Sequence, residues 1–181
     1  ADAVYQFIKK NKLNDITLMG HSYGGTVALL LLRKIEKSKE YSLVKNTILI
    51  APAAYIQRFP FFVQIPRTPI INTIFLSLIS ERTQARHTLK RLFYDDKKVT
   101  RERIERYALY YRGKEHKRAI VWSARNMVPE DVGRLEEDIK TILSRTLIIW
   151  GSKDSVIPKS NIDRLHTELK NSILSVIENA G

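Results

Sequence analysis

The residues of this chain that could do chemistry most directly stand at positions 20–24, which read Gly-His-Ser-Tyr-Gly. A short apolar run ends just before them, at Met19, and a helical pattern follows them at residues 26–33. A serine on a sharp turn between a strand and a helix is the arrangement of a nucleophile elbow, where the hydroxyl stands clear of the sheet and can attack a carbonyl carbon. The helix that follows would offer backbone N–H groups to the oxyanion produced by that attack.

Two glycines flank the predicted nucleophile Ser22. We expect neighbouring backbone to approach Gly20 and Gly24 closely at the turn, which the absence of a Cβ permits. Two alternatives are a turn that only packs and a loop that binds phosphate. A phosphate loop would need a lysine before its Ser or Thr, and no lysine follows Gly25. The spacing of the glycines does not fit a dinucleotide fingerprint either, so the pattern favours the nucleophile.

A carboxylate follows a second predicted strand. Residues 147–150 read Leu-Ile-Ile-Trp and are followed by Gly151, which places Asp154 in the loop beyond the strand. Ligands of open parallel sheets bind at this carboxyl end. A carboxylate there can hold a histidine in the correct tautomer and stabilise its protonated form during acyl transfer. The alternative is an aspartate that caps the helix starting near Pro158, and the residues alone leave both interpretations open.

Taken together, residues 20–25 and 150–158 resemble the α/β-hydrolase family, in which the triad follows the chain order Ser, Asp, His. The resemblance implies that Ser22 is the nucleophile, Asp154 the triad acid, and the backbone N–H of Tyr23 one oxyanion-hole donor. It also implies an α/β fold, a three-layer α/β-hydrolase sandwich with a parallel sheet and an inserted helical cap, here incomplete at both ends. No metal and no organic cofactor is implied.

The same resemblance places the triad histidine after a last strand and a small-residue turn. Residues 172–181 supply that strand and turn, so we expect the histidine immediately beyond Gly181. None of the four histidines in the chain fits the role; they are His21, His87, His116 and His166. The family's second oxyanion donor comes from a loop that nothing before Asp15 can supply. We therefore expect a segment of a longer hydrolase that is inactive by itself.

The predicted core comprises residues 1–54 and 132–181, and a mostly helical insertion spans residues 55–131. Within the insertion, Thr100 is a predicted N-cap, and the helix after it carries an apolar stripe at i, i+3, i+4 and i+7, formed by Ile104, Tyr107, Ala108 and Tyr111. In the hydrolases that the chain resembles, an insertion here is a cap over the active site. Its apolar residues would line a substrate pocket or only pack the cap on the core.

The chain of 181 residues carries a formal charge of +12, and residues 81–118 hold thirteen Lys and Arg against six Asp and Glu. Because no nucleic-acid motif accompanies this charge, a solvated basic face is the favoured interpretation, with weak contact to an anionic membrane as the alternative. The chain has no cysteine, which excludes disulfides, thiol catalysis and cysteine-based zinc sites. Compartment and oligomeric state stay open.

The function predicted from these residues is that of a carboxylesterase-like serine hydrolase, acting on a small apolar ester or on a related bond such as a carbon–carbon bond. Ser at the elbow argues against the epoxide hydrolases and haloalkane dehalogenases of the same fold, which the resemblance says use Asp. An acyltransferase of this fold and a non-catalytic, hydrolase-like binding module remain the alternatives.

Overall fold

The computed structural model describes residues 1–55, 79–126 and 132–181 of the chain. The chain divides into two compact units. The first, which we call the α/β unit, consists of Ala1–Ile56 and Glu130–Ala180. The second, the helical unit, consists of Gln57–Pro129 together with Gly181. The part of the predicted insertion at residues 56–78 lies outside the described residues.

The α/β unit contains a four-stranded sheet whose neighbouring strands all run parallel, in the order β1-β2-β3-β4. The strands are β1 (Ile16–His21), β2 (Val44–Ile50), β3 (Arg145–Gly151) and β4 (Ser172–Ile177). The predicted parallel sheet of an incomplete α/β fold is thereby confirmed. Because every strand points the same way, the loops that follow them all leave from one edge of the sheet.

Seven α-helices are described, and short 3-10 turns extend two of them. In chain order they are α1 (Asp2–Lys10), α2 (Tyr23–Ser38), α3 (Glu81–Leu92), α4 (Arg101–Ala108), α5 (Lys114–Arg125), α6 (Val132–Asp138) and α7 (Lys159–Glu168). The 3-10 turn Leu109–Tyr111 follows α4, and the 3-10 turn Ile139–Thr141 follows α6.

The core of the α/β unit is built from the leucine-rich face of α2 and the central strands. Four large side chains of α2 are almost fully buried, namely Leu29, Leu31, Leu32 and Ile35. They belong to one cluster with Leu49 of β2 and Ile148 of β3. Burying each such side chain contributes about 1.5–3 kcal/mol, so this cluster fixes α2 and hence the turn that precedes it.

Two apolar patterns of the sequence are partly exposed in the structure. The apolar positions of the amphipathic helix α1 are Val4, Phe7 and Ile8, yet only Ile8 is buried, and Phe7 is 61% exposed. The apolar run at residues 16–19 is typical of a buried parallel strand, yet Met19 is 61% exposed. The exposure of Met19 follows from its position, because β1 is an edge strand of the described sheet.

The helical unit has a small core of its own, formed where α3 meets α4. Its buried residues are Ala85, Leu89, Ile104 and Ala108. The predicted N-cap is confirmed, because the hydroxyl of Thr100 accepts a hydrogen bond from the Arg103 N–H at 3.3 Å. Within the described ranges, no helix combines the length and the apolar character that crossing a membrane requires.

Candidate active site

Ser22 lies at the turn between β1 and α2, where the sequence predicted the nucleophile. Its backbone torsions are φ 51° and ψ −118°. A positive φ is uncommon for a residue with a Cβ, and such strain costs of the order of 1–3 kcal/mol unless the surroundings impose it. The turn is as short as it can be, since β1 ends at His21 and α2 begins at Tyr23. Ser22 therefore occupies a sharp, strained apex.

The lack of a side chain at Gly20 lets the two arms of this turn close on each other. A Cβ on Gly20 would lie 2.4 Å from the carbonyl oxygen of Gly24 and 2.9 Å from the nitrogen of Gly25. Gly24 differs from its prediction, because a Cβ there would meet nothing within 4 Å in the part of the chain that the structure describes. The close approach involves the carbonyl of Gly24, and the side chain that must be missing is that of Gly20.

Gly25 makes a second close approach, which the sequence analysis missed. A Cβ on Gly25 would lie 2.5 Å from Cβ of Pro52 and 2.8 Å from its Cα. Pro52 follows β2, so the loop after β2 packs directly against the first turn of α2. The sequence carries no local signal of this contact, because it joins two distant parts of the chain.

Hydrogen bonds lock the strained serine between β2 and the loop after it. The N–H of Ser22 donates to the carbonyl of Ile50 at 2.9 Å. The carbonyl of Ser22 accepts from the N–H of Gly25 at 2.9 Å and from the N–H of Ala53 at 3.1 Å. The hydroxyl of Thr26 donates to the carbonyl of Ala53. These bonds hold the serine backbone on both sides, which explains how the strained torsions persist.

Tyr23 is the first residue of α2, and its backbone N–H was the predicted oxyanion donor. The first N–H groups of an α-helix have no acceptor within the helix, and they carry the positive end of its dipole. The N–H of Gly25 is already bonded to the Ser22 carbonyl. The position of Tyr23 directly after the serine is thus compatible with donation to an oxyanion.

Asp154 lies in the loop after β3, and it organises that loop. Its Oδ1 accepts hydrogen bonds from the N–H groups of Val156 at 2.7 Å and Ile157 at 2.9 Å. Its own N–H donates to the carbonyl of Gly151 at 3.0 Å. The indole N–H of buried Trp150 donates to the carbonyl of Ile157 at 3.0 Å and closes the loop. One carboxylate oxygen is therefore committed to the loop.

The alternative role for Asp154, as a helix cap, does not fit the structure. Helix α7 begins at Lys159, its N-cap residue is Pro158, and no side chain caps it. The carboxylate of Asp154 instead acts within its own loop, where the N–H groups of Val156 and Ile157 donate to Oδ1.

The segment after β4 is bonded to the loop that carries Asp154. The N–H of Ser152 donates to the carbonyl of Ile177 at 3.0 Å, and the N–H of Lys153 donates to the carbonyl of Ala180 at 2.8 Å. The hydroxyl of Ser152 accepts from the N–H of Asn179 at 3.0 Å. The backbone at Ala180 therefore lies beside the residue that precedes Asp154.

Ser22 and Asp154 are brought to the same edge of the sheet. Ser22 follows β1 and Asp154 follows β3, and β2 separates these parallel strands. Neighbouring strands lie about 4.8 Å apart, so the two strand ends are about 10 Å apart. The gap is one that a histidine, placed between a nucleophile and an acid, could bridge.

All four histidines of the chain are exposed. His21 is an exposed residue at the end of β1. In α7, Nδ1 of His166 lies 2.8 Å from the hydroxyl of Ser172, and in α5, Nδ1 of His116 lies 2.7 Å from the carbonyl of Arg112. His87 is exposed on α3. In the described part of the chain, no three His, Cys, Asp or Glu residues are grouped so as to hold a metal ion.

Comparisons with known proteins identify a family and a fold. A family model described as serine aminopeptidase, S33, matches residues 1–180. An uncharacterized hydrolase of Bacillus subtilis (strain 168), YugF, is 24% identical over 184 residues, which cover 100% of this chain and 63% of YugF. The chain therefore spans less than two thirds of the length of this relative.

Solved structures share the fold at low sequence identity. The meta-cleavage product hydrolase CumD of Pseudomonas fluorescens IP01 superposes with a TM-score of 0.72 at 21% identity, covering 98% of this chain and 61% of CumD. The 2-hydroxy-6-oxo-6-phenylhexa-2,4-dienoate hydrolase BphD of Rhodococcus sp. strain RHA1 has a TM-score of 0.74 at 15% identity, covering 96% of this chain and 59% of BphD. An α/β hydrolase from a deep-sea metagenome, MGS-M2, has a TM-score of 0.75 at 17% identity, covering 99% of this chain and 62% of MGS-M2.

Proposed function

The chain belongs to the serine aminopeptidase (S33) family of α/β-hydrolases, and from that premise we propose that Ser22 is the nucleophile of a serine hydrolase. The observation that carries the proposal is the strained apex at Ser22, with φ 51° held by contacts and hydrogen bonds on both sides. Strain of this kind is maintained at functional sites because it fixes the reacting group before the substrate arrives.

Asp154 is the proposed triad acid, and the triad histidine is proposed to follow Gly181 directly. Two observations support this assignment. Asp154 lies in the loop after β3, at the sheet edge that also carries Ser22, and its Oδ1 holds that loop in place. The hydrogen bond from Lys153 to the carbonyl of Ala180 brings the end of the β4 segment beside the acid, so a residue after Gly181 would begin within reach of it.

The proposed reaction has two halves. The histidine removes the Ser22 proton as Oγ attacks the carbonyl carbon, and Asp154 stabilises the imidazolium that results. The oxyanion of the tetrahedral intermediate accepts a hydrogen bond from the Tyr23 N–H and from a second donor outside residues 1–181. The leaving group takes the proton from the histidine, and water then releases the acyl group by the same steps in reverse order.

The proposed substrate is a small apolar ester or a related bond, including a carbon–carbon bond next to a carbonyl. The names of CumD, a meta-cleavage product hydrolase, and of BphD, a 2-hydroxy-6-oxo-6-phenylhexa-2,4-dienoate hydrolase, favour the carbon–carbon bond. The name of the family favours a peptide amide with a free amino end. The helical unit is proposed to be the cap over this site. Transfer of the acyl group to an alcohol, and a binding module without activity, remain alternatives.

A covalent label tests the nucleophile. The protein expressed from its complete coding sequence should react with a fluorophosphonate probe, and Ser22→Ala should abolish the labelling. Ser160→Ala is the matched control, because Ser160 is an exposed serine in the first turn of α7. Residues 1–181 alone should stay unlabelled. A folded complete protein that is not labelled would contradict the hydrolase and favour the binding module.

A panel of three substrates separates the classes of bond. We expect turnover of p-nitrophenyl butyrate or of 2-hydroxy-6-oxo-6-phenylhexa-2,4-dienoate, and none of an amino-acid p-nitroanilide. Turnover of the anilide alone would move the assignment to a peptidase. A product ester formed when an alcohol is added would identify acyl transfer.

A further inference from the structure

The helical unit contains a groove between α3 and α4 that the proposed reaction does not use. Its volume is about 550 Å³. Three cations of α3 line it, Arg82, Arg86 and Lys90, and Arg101 at the start of α4 faces them. The residues of α3 are spaced by four, so they lie on one face of the helix and follow one another over about 12 Å.

Two of the four cations have an acidic partner in the groove. Arg82 Nε lies 2.9 Å from a carboxylate oxygen of Glu105, and Lys90 Nζ lies 3.5 Å from Oδ2 of Asp96. Within the described residues, neither Arg86 nor Arg101 has a hydrogen-bond acceptor or an acidic partner. The groove thus carries two uncompensated positive charges, which repel each other and the paired cations on either side.

The floor of the groove is apolar. Buried Ile104 and half-buried Val99 line it beneath the charged groups. An apolar floor excludes water from one side of a bound anion, which strengthens hydrogen bonds between guanidinium groups and phosphate oxygens. Arginine offers two parallel donors to such oxygens, and the two unpaired side chains in this groove are both arginines.

We propose that this groove binds an anion that carries more than one phosphate charge, such as a diphosphate ester or a phospholipid headgroup, with Arg86 and Arg101 as its principal ligands. The two acids, Asp96 and Glu105, stay bonded to Lys90 and Arg82 and set the ends of the site. The three cations of α3 extend over about 12 Å, a length that accommodates more than one phosphoryl group. This inference is independent of the proposed hydrolase activity.

Calorimetric titration with inorganic pyrophosphate tests the site on the complete protein. We expect binding that weakens with added salt and becomes about tenfold weaker or more in the double variant Arg86→Gln/Arg101→Gln. The matched control is Arg106→Gln/Arg125→Gln, which removes the same charge from exposed positions of the helical unit outside the groove. Its affinity should stay within about twofold of wild type. Circular dichroism melts confirm that both variants fold.

A second experiment, vesicle sedimentation, identifies the source of the phosphate. Vesicles of phosphatidylcholine with and without cardiolipin, whose headgroup carries two phosphates, are sedimented with the same three proteins. If wild type and the control sediment with the anionic vesicles and the groove variant does not, the ligand is a lipid headgroup. Pyrophosphate binding through the groove without such retention identifies a free phosphate compound. If neither probe distinguishes the groove variant from the control, the proposal is overturned.

Discussion

The α/β unit and the helical unit hold their candidate functional groups in different ways. In the α/β unit, the described residues form a buried cluster of twenty hydrophobic side chains. Hydrogen bonds between backbone groups then fix the two loops at the sheet edge. In the helical unit, the described core has four buried residues. The candidate groups there are exposed arginines on two helices, Arg86 on α3 and Arg101 on α4.

This difference predicts how each unit responds to substitution. The torsions of Ser22 depend on the missing side chain of Gly20 and on bonds to Ile50 and Ala53, so a change in the backbone there should alter both stability and chemistry. The groove in the helical unit depends on charge at Arg86 and Arg101, so changes there should alter binding while stability stays almost the same.

The largest effect is expected from Asp154→Asn in the complete protein. The amide oxygen of asparagine can still accept the N–H bonds of Val156 and Ile157, so the loop should keep its shape. The amide cannot stabilise an imidazolium, and the turnover number should fall by about 10⁴-fold, as expected when the orienting carboxylate of a triad is neutralised. Steady-state kinetics on the best substrate of the panel measures the effect.

The control for this prediction is Asp163→Asn, which neutralises an exposed aspartate bonded to Lys159 in α7. It should leave the turnover number unchanged within about twofold. Equal activity of the Asp154→Asn variant and wild type would show that Asp154 only shapes the loop, and would remove it from the proposed triad.

The small core of the helical unit gives the next largest effect. Leu89 is fully buried between α3 and α4, and Leu89→Ala should lower the free energy of unfolding of this unit by about 3 kcal/mol because it leaves a cavity. Hydrogen exchange should become faster at the amides of α3 and α4 and stay slow in β1–β4. Leu92→Ala, at a position 36% exposed on the same helix, is the matched control. Equal loss of protection in the strands would contradict the separation of the two units.

Several features of the site could be predicted from the sequence because their signals are local. The apolar runs before Gly20 and Gly151 indicated two strands, and the direction of parallel strands placed Ser22 and Asp154 at one edge. The cap of α4 at Thr100 is equally local, since its hydroxyl bonds an N–H three residues on. Patterns of this kind depend on residues a few positions apart.

The rest depends on contacts between distant parts of the chain. No sequence pattern shows that Gly25 meets Pro52, or that the hydroxyl of Thr26 reaches the carbonyl of Ala53. The exposure of Phe7 and Met19 could not be predicted either, because apolar residues at helical or strand spacing look the same whether or not another element covers them.

The two glycines of the turn provide the sharpest test of the elbow. Gly20→Ala places a Cβ 2.4 Å from the Gly24 carbonyl oxygen, and the backbone shift that relieves this clash should cost about 2–3 kcal/mol. Gly24→Ala is the control, because its Cβ meets no described atom within 4 Å. That change should be neutral or stabilise by up to about 1 kcal/mol, since alanine restricts the unfolded chain. Urea denaturation of both variants measures the difference, and equal effects would contradict the packing described for the turn.

The smallest expected effect is a pH dependence at the surface of the α/β unit. Glu40 accepts hydrogen bonds from Lys9, from the hydroxyl of Tyr5 and from the hydroxyl of Ser38. These partners, first Lys9 and then Tyr5, lower the pKa of Glu40 from its usual value of 4.5 to about 2. Because the pKa is lower in the folded state, the stabilisation is complete above pH 4.5 and is lost as the pH falls towards 2.

Glu40→Gln should remove this pH-dependent stabilisation, which in wild type ties α1 to the end of α2. Hydrogen exchange at the amides of α1 follows the effect, and in wild type those amides should lose protection, beyond the intrinsic change in rate, as the pH falls through that window. The control, Glu137→Gln, changes an exposed glutamate of α6 and should keep the wild-type profile. Because α1 buries only Ile8, these polar bonds carry much of its attachment. A Glu40→Gln variant whose α1 amides follow the wild-type profile would show that the bonds of Glu40 do not hold the helix.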